Sequence, residues 1–178
     1  MYKRQALDPV TIADLEVNNL ILKNMQIKYP NIGWKYLSEE NVKEDSTNCD
    51  LDSEWLWILD PLDGTKDFIQ GTGNYAMHFA LNYRNKPVLG VVLIPEKDEL
   101  WIANGEKVWC ERRDSLKQKF NLAAIHNLSS MTLVTSKNHG NEILKNPIEK
   151  IRFKMVIVMG SIGCKIASIT RGESDIYI

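Results

Sequence analysis

The sequence predicts a mixed domain of helices and strands, of the α+β class. Helical and strand-like patterns alternate along the 178 residues, and neither an internal repeat nor a low-complexity linker separates them. Length is a further indication, because a chain of this size can bury roughly 70% of its unfolded surface in one core. We therefore expect residues 1–178 to belong to a single domain.

The composition is typical of a globular protein that folds in water, with 44% hydrophobic and 25% charged residues. A net charge of −1 and a pI of about 6.3 offer no general attraction to nucleic acid or anionic lipid. The longest apolar run, 155–159, is too short to span a membrane, and no signal peptide is visible. Three cysteines without CxxC spacing argue against a disulfide framework or a zinc site, so we expect a cytoplasmic protein.

The first elements are a helix, a short strand and a loop. Apolar residues recur at roughly the helical period over 11–28, where Thr11 can cap the helix. Residues 29–31 stop this helix, and a strand is predicted near 34–37. The polar stretch 41–52 is interpreted as an exposed loop.

The next segments predict a sheet. Residues 55–59 form a continuous apolar run that ends at Asp60 and Pro61, as in a strand buried on both faces. Alternating residues and tight turns then predict an antiparallel meander with strands at 75–83, 88–94, 99–103 and 107–111.

The last third of the chain predicts strands at 131–135 and 153–158, helices at 141–150 and 164–170, and a final strand at 174–178. Gly172 is expected to terminate the second of these helices. Because the chain stops inside a predicted element, without a polar tail, we expect it to be a fragment.

The most informative stretch is Asp60-Pro61-Leu62-Asp63-Gly64-Thr65, which follows the apolar strand. The strand delivers Asp60 to the end of a sheet, and Pro61 fixes the backbone so that Asp63 can point into the same space. Two converging carboxylates repel each other unless a cation lies between them, and hard oxygen ligands suit Mg²⁺. The Leu62 carbonyl is a third possible ligand.

An anion site is expected next to these acids. Gly64 permits unusual backbone conformations, and the amides of Gly64 and Thr65 can face an anion if a helix begins near Lys66. Upstream, Glu39 and Glu40 follow a predicted strand, and a carboxylate from there can complete the metal shell. Each part alone is typical of an ordinary turn or solvated edge, but the whole order of residues favours a phosphate site.

Two other kinds of site are disfavoured. An EF-hand loop needs oxygen-bearing residues at alternate positions, where Leu62 and Gly64 stand. A phosphoaspartate phosphatase of the haloacid-dehalogenase type needs a nucleophilic acid at the position of Pro61. Water activated by a metal ion therefore remains as the nucleophile.

The motif from Asp60 to Thr65 resembles the hallmark of the inositol monophosphatase family of Mg²⁺-dependent phosphatases. The flanking residues are similar to the family's 3′(2′),5′-bisphosphate nucleotidases, and the similarity runs over nearly the whole chain. It is carried by the segments 8–14, 37–40, 63–68, 87–92 and 160–161, and by Lys165. The resemblance implies a layered α/β/α/β/α fold, incomplete here.

The resemblance also implies roles for individual residues. Glu39, Asp60, Asp63 and the Leu62 carbonyl would be the metal ligands, and Glu39 and Thr65 would orient the attacking water. The segment from Leu62 to Thr65 would bind the substrate phosphate. Asp14 matches a family acid associated with water activation or a weaker metal, although an acid in a first helical turn is favourable without any catalytic role. The residues Lys66 and 160–165 would lie near the part of the site that separates nucleotide from inositol substrates. Independently of the resemblance, the segment 136–139 follows a predicted strand and could approach a nucleotide phosphate, although a surface turn is favoured there.

Two departures from the family pattern matter. Members usually begin with another helix, and they carry a Trp-Asp motif after the last strand seen here, whose Asp ligates metal. The domain over 1–178 is therefore expected to be partial and, as given, to bind Mg²⁺ poorly and to be weakly active or inactive.

The implied function is removal of the 3′-phosphate from adenosine 3′,5′-bisphosphate, a by-product of sulfate assimilation, with Mg²⁺ as cofactor and this small phosphorylated nucleotide as partner. An inositol-1-phosphate or other sugar-phosphate phosphatase remains an alternative. So does an inactive fragment that binds anions without turnover.

Overall fold

A computed structural model describes residues 11–44, 53–118, 127–137 and 151–178. The described residues form a larger and a smaller sheet, here called sheet A and sheet B, together with four α-helices. The helices are α1 Ile12–Lys28, α2 Glu39–Glu44, α3 Thr65–Ile69 and α4 Ile162–Thr170. Thr11 caps α1 and Ser161 caps α4, each with its side-chain oxygen on a backbone amide of the first turn.

Sheet A has seven strands in chain order, of which the first pair is parallel and the others are antiparallel. Its strands are β1 Lys35–Ser38, β2 Trp55–Asp63, β3 Ala76–Tyr83, β4 Lys86–Ile94, β5 Glu99–Asn104, β6 Lys107–Arg112 and β7 Ser115–Gln118. Sheet B has the strands β8 Thr132–Ser136, β9 Met155–Met159 and β10 Ile176–Tyr177. It is parallel, with the spatial order β10-β8-β9.

The described elements stack in layers. Ser38 of β1 donates a hydrogen bond to Asn18 of α1, so α1 covers one face of sheet A. On the opposite face, Ala76 and His78 of β3 approach Gly163 at the start of α4. Helix α4 also contacts all three strands of sheet B. The order is therefore α1, sheet A, α4, sheet B.

The core lies between sheet A and α4. Its buried members come from β3, β4, β5, β6 and α4, and they are Ala76, Ile94, Trp101, Cys110, Cys164 and Ala167. This packing places the start of α4 against the start of β3, where Ala76 pairs with Asp63 at the end of β2.

Most predicted elements are confirmed, and the differences are as follows. The prediction of a loop at 41–52 is wrong for 41–44, which belong to α2. Glu39 and Glu40 stabilise the first turn of that helix, because acidic residues are favourable at a helix N-terminus. Residues 45–52 lie outside the described part. Strand β7 was not predicted, and α4 begins two residues earlier than expected. The helix predicted at 141–150 lies outside the described residues.

Strand β2 continues past Asp60 to Asp63, beyond its predicted end. Pro61 is accommodated because the register with β3 shifts between Asp60 and Asp63, which face His78 and Ala76. Three residues of β2 thus span two of β3, as in a β-bulge, where a missing N–H is tolerated. This bulge leads directly into the candidate site.

Candidate functional site

The β-bulge explains why Asp60 and Asp63 lie on the same side of the sheet. In a regular strand, residues three apart point to opposite faces. Asp60 pairs with His78 and Asp63 pairs with Ala76, and these two residues of β3 point to the same face. The extra residue of the bulge therefore places both acids on one face of the sheet. The convergence expected from Pro61 is therefore achieved through a change of strand register.

Three carboxyl groups lie close together here. Asp60 is adjacent to both Glu39, at the start of α2, and Asp63. Burial, followed by the charges of Glu39 and Asp63 and a hydrogen bond with Glu39, raises the pKa of Asp60 to about 8. The Leu62 amide, which donates to Asp60 Oδ1 at 3.1 Å, acts in the opposite direction. The electrostatic environment at Asp60 is thus unfavourable for a negative charge.

One oxygen of the third acid, Asp63, is bound by the start of α4. Asp63 Oδ2 accepts hydrogen bonds from Ser161 Oγ at 2.7 Å and from the Ile162 and Gly163 amides at 2.6 and 3.3 Å. In the described part of the chain, no three His, Cys, Asp or Glu side chains are arranged as a ready-made metal cage. The assignment of Glu39, Asp60, Asp63 and the Leu62 carbonyl as ligands therefore stays a prediction.

Thr65 links the turn to α1. Its hydroxyl lies 3.0 Å from the Leu62 carbonyl and 3.3 Å from Asp14 Oδ1, and it can donate to either. Asp14 is 2% exposed, and its other oxygen, Oδ2, accepts from the amide and hydroxyl of Thr11. Asp14 therefore both closes the capping box of α1 and faces Thr65, so its helix-opening role and its expected place near the site coexist.

Gly64 occupies a position that requires glycine. Its φ is +91°, and a Cβ there would lie 2.8 Å from the Asn74 carbonyl oxygen. The residue immediately precedes α3, so the amides of Gly64 and Thr65 lie where the chain enters a helix, as the sequence predicted.

Several side chains near the turn were not predicted from the sequence. His78 Nε2 lies 3.3 Å from Asp63 Oδ2 without an aligned hydrogen bond, and burial, opposed by the Asp63 charge, lowers the pKa of His78. Asp67 is 1% exposed, and its Oδ2 has no hydrogen-bond partner among the described residues. The register of β3 brings His78 to the turn, so no local sequence signal identifies it, whereas Asp67 lies in the segment 63–68 itself and only its burial depends on the approach of α4.

Two lysines lie on the side of the turn that faces sheet B. Lys165 is buried, and its Nζ donates to Ser136 Oγ at 2.7 Å and to the Gly160 carbonyl at 3.2 Å. Lys137 Nζ donates to Gln70 at 2.8 Å and lies 3.5 Å from Asp67 Oδ1. The start of α4 and the end of β8 are thus neighbours. Residues 138 and 139, the rest of the turn after β8, lie outside the described residues.

Comparisons with known proteins agree with this fold. The sequence profile of the inositol monophosphatase family matches residues 2–178. The 3′(2′),5′-bisphosphate nucleotidase CysQ of Buchnera aphidicola is 35% identical over 171 residues, which cover 95% of this chain and 61% of that protein. The chain thus spans about three fifths of the length of this relative.

Solved structures share the fold. A staphylococcal IMPase-II with bound 2′-AMP superimposes with a TM-score of 0.75 at 24% identity, over 92% of this chain and 61% of that one. An IMPase/NADP phosphatase complexed with Mg²⁺ and phosphate gives a TM-score of 0.77 at 20% identity, over 100% of this chain and 64% of that one. None of the helices in the described part of the chain has the length and apolarity needed to span a bilayer.

Proposed function

Because the chain belongs to the inositol monophosphatase family, we propose that its protein is a Mg²⁺-dependent phosphomonoesterase that removes the 3′-phosphate from adenosine 3′,5′-bisphosphate. The observation that carries this proposal is that Asp60, in the bulged part of β2, neighbours both Glu39 and Asp63. The nucleotidase named among its relatives supports the choice of substrate. We further propose that residues 1–178 form part of one phosphatase domain and that the protein works in the cytoplasm, on a by-product of sulfate assimilation.

The donor set fits Mg²⁺. The carboxylates of Glu39, Asp60 and Asp63 and the carbonyl of Leu62 are all hard oxygen donors. The raised pKa of Asp60 reflects burial and two neighbouring negative charges, and a divalent cation between them would favour the ionised form. When bound, Mg²⁺ would supply the positive charge that polarises a phosphoryl group and makes water more acidic. A structural neighbour that holds Mg²⁺ and phosphate supports this cofactor.

Thr65 and Asp14 would form the hydrogen-bond path that orients the attacking water and accepts its proton. The Thr65 hydroxyl would accept a hydrogen bond from the water while it donates its own proton to Asp14 Oδ1, which lies 3.3 Å away. Thr11 holds the other oxygen of Asp14 through two hydrogen bonds and so fixes the orientation of the carboxylate. Glu39, which is exposed, would orient the same water from the other side.

The amides of Gly64 and Thr65 and the adjacent residues Leu62 and Asp63 would bind the phosphate that is removed. These amides lie beside the acid cluster, so phosphate and water would be held next to each other. Positioning of this kind accounts for most of the catalysis of phosphoryl transfer.

The charge around α4 favours a substrate with a second phosphate. Lys165 and Lys137 lie on the side of the turn that faces sheet B, and the exposed Lys66 follows the turn itself. A bisphosphate carries more negative charge than inositol-1-phosphate and gains more from these groups. The bound 2′-AMP of the staphylococcal IMPase-II supports a nucleotide ligand on this fold.

The proposal is tested by comparing substrates. The complete gene product, supplied with Mg²⁺, is expected to release phosphate from adenosine 3′,5′-bisphosphate with a higher kcat/KM than from inositol-1-phosphate. Addition of EDTA should abolish the release, and excess Mg²⁺ should restore it. A higher kcat/KM for inositol-1-phosphate would assign the protein to the sugar-phosphate alternative, and binding of either compound without release would assign it to anion binding.

A further inference from the structure

The carboxylate of Asp63 is held by the start of α4. Its Oδ2 accepts hydrogen bonds from Ser161 Oγ at 2.7 Å and from the Ile162 amide at 2.6 Å. We propose that Ser161 is a positioning residue for the metal site: it fixes the orientation of Asp63 so that Oδ2 stays bound to α4 and Oδ1 is left for a divalent cation beside Asp60. This inference rests on the proposed function, because it assigns a second contact to one of the proposed ligands.

Ser161 is held in this position by contacts of its side chain and of its backbone. It is 0% exposed, and its Oγ both donates to Asp63 and accepts from the Cys164 amide at 3.2 Å, so the hydroxyl is fully used. Its own amide lies 3.3 Å from the Asn74 carbonyl oxygen. A Cβ on Gly64 would lie 3.4 Å from Ser161 Cβ, so the serine packs directly on the turn that carries Asp63.

A second acid, Asp67 of α3, packs against the residue before Ser161. Asp67 is buried against Gly160, where a Cβ would lie 1.9 Å from Asp67 Oδ2. The end of β2 and the adjoining α3 thus approach the entry of α4 through two carboxylates, Asp63 and Asp67, four positions apart. Asp67 leaves no room for a side chain at 160, so the backbone before Ser161 packs closely on this acid.

The free oxygen of Asp63 is the one that matters for a cation. Among the described residues, Oδ1 accepts no hydrogen bond, whereas Oδ2 accepts three. Hydrogen bonds to a carboxylate are short and strong when the acceptor is charged, and the N-terminal end of a helix favours negative charge. One oxygen of Asp63 is therefore fixed by α4, and the other accepts no hydrogen bond from the described residues.

Removal of the Ser161 hydroxyl should weaken Mg²⁺ binding. Groups that orient metal ligands through a hydrogen bond typically change metal affinity by about 10- to 100-fold when they are removed. We expect Ser161→Ala to raise the Kd for Mg²⁺ by about tenfold, measured by isothermal titration calorimetry on the complete gene product. Ser161→Thr, which keeps a hydroxyl, should bind Mg²⁺ about as tightly as the unsubstituted protein.

Two variants separate positioning from helix stability. Ser161→Gly retains most of the capping preference but has no hydroxyl, so it should lose affinity as Ser161→Ala does, and it replaces that variant if the alanine protein fails to fold. Ile166→Gly changes an exposed residue inside α4 and destabilises the helix without touching Asp63. It should lower the Tm and leave the Mg²⁺ affinity unchanged.

The outcomes distinguish this inference from the proposed function. Equal Mg²⁺ affinity in Ser161→Ala and the unsubstituted protein would overturn the inference alone, as would an equal loss in Ile166→Gly. If the unsubstituted protein binds no Mg²⁺, both the inference and the proposed metal site are wrong.

Discussion

Asp60 is the acid of the site whose charged form is disfavoured by both burial and neighbouring charges. Burial and the adjacent charges of Glu39 and Asp63 raise its pKa to about 8, so the folded protein holds this proton more tightly than the unfolded chain does. Between the ordinary carboxyl value of about 4 and this value, stability therefore falls as the pH rises. A cation next to these acids would favour the ionised form of Asp60 and so remove this cost.

Replacement of Asp60 by Asn should stabilise the metal-free protein and abolish its Mg²⁺ binding. At pH 8 and in EDTA we expect Asp60→Asn to be more stable by about 2 kcal/mol, since a tenfold change in acidity corresponds to about 1.4 kcal/mol and part of the repulsion relaxes. Urea unfolding at pH 5 and pH 8 measures this. The gain should shrink at pH 5. The exposed Glu106→Gln is the matched control, and a destabilised Asp60→Asn protein at pH 8 would contradict the expectation.

The Thr65 hydroxyl provides a second test at the same scale. Thr65→Ala should lower kcat by about 100-fold with little change in KM, because a positioned proton-transfer group contributes about 10²- to 10⁴-fold. Thr65→Ser keeps the hydroxyl near Asp14 and should retain most of the activity. Steady-state kinetics on the complete gene product measures both, and equal losses in the two variants would show that the hydroxyl has no part in the reaction.

Single residues were predictable where one motif carries them. The motif from Asp60 to Thr65 identified the acids and the glycine, and the structure brings Asp60 next to Glu39. The contacts of Asp63 with Ser161 and His78 could not be predicted, because they depend on how α4 and β3 pack in three dimensions. Whether these acids bind metal stays a prediction.

At the scale of elements, the turn after β2 and the entry of α4 fit each other closely. Asp67 fills the space in which a side chain at 160 would lie, so only glycine fits beside it. If Asp67 were shortened, a Cβ at 160 would face Asp67 Cβ at 3.4 Å, an ordinary contact distance. The two positions are thus sterically coupled.

Gly160→Ala should therefore destabilise the protein, and the double variant Asp67→Ala/Gly160→Ala should recover part of the loss. We expect a cost of about 1 to 3 kcal/mol for the single alanine, as in other overpacked cores, and a non-additive double-mutant cycle. Thermal unfolding measures the four proteins. Gly33→Ala, where a Cβ meets nothing within 4 Å, is the control. Additive effects would argue against the coupling.

Element types were predictable from periodicity, and their ends were not. The period of apolar residues indicated α1, and alternation indicated β3 to β6. The continuation of β2 through Pro61 could not be predicted, because it depends on a change of register with β3. Helix α2 was missed because its six residues are too few to show a period.

Across the whole molecule, an ion network joins sheet A to the end of α4. Glu99 of β5 is 1% exposed and accepts from Arg112 and from Arg171, each at 2.6 Å, and from Trp101 at 3.0 Å. Arg171 also binds Glu173 at 2.7 Å. Burial alone would raise the pKa of Glu99, but the hydrogen bonds from Arg112 and Trp101 and the charges of Arg171 and Arg112 lower it. Its charged form therefore stabilises the native state.

Glu99→Gln should destabilise the protein at neutral pH by about 3 kcal/mol, because it leaves the buried Arg171 with a single carboxylate partner. The contribution of a carboxyl with a lowered pKa is complete above its ordinary value of about 4.3 and is lost as the pH falls through the folded pKa. Urea unfolding across pH 3 to 7 should thus show a difference between the two proteins that shrinks in acid. The control is Glu54→Gln, which removes one partner of the exposed pair Glu54 and Arg84 and should change stability little.

A difference between Glu99→Gln and the unsubstituted protein that does not depend on pH would contradict the stabilising role of the charged Glu99.

The hydrogen bond between Asp63 and Ser161 joins residues 98 positions apart. The hairpin of β3 and β4, in contrast, closes across Arg84 and Asn85 alone. Long loops oppose closure entropically, so contacts of this separation form after local ones. A refolding chain would therefore recover its hairpins first, and the return of cation affinity would mark the last stage of its folding.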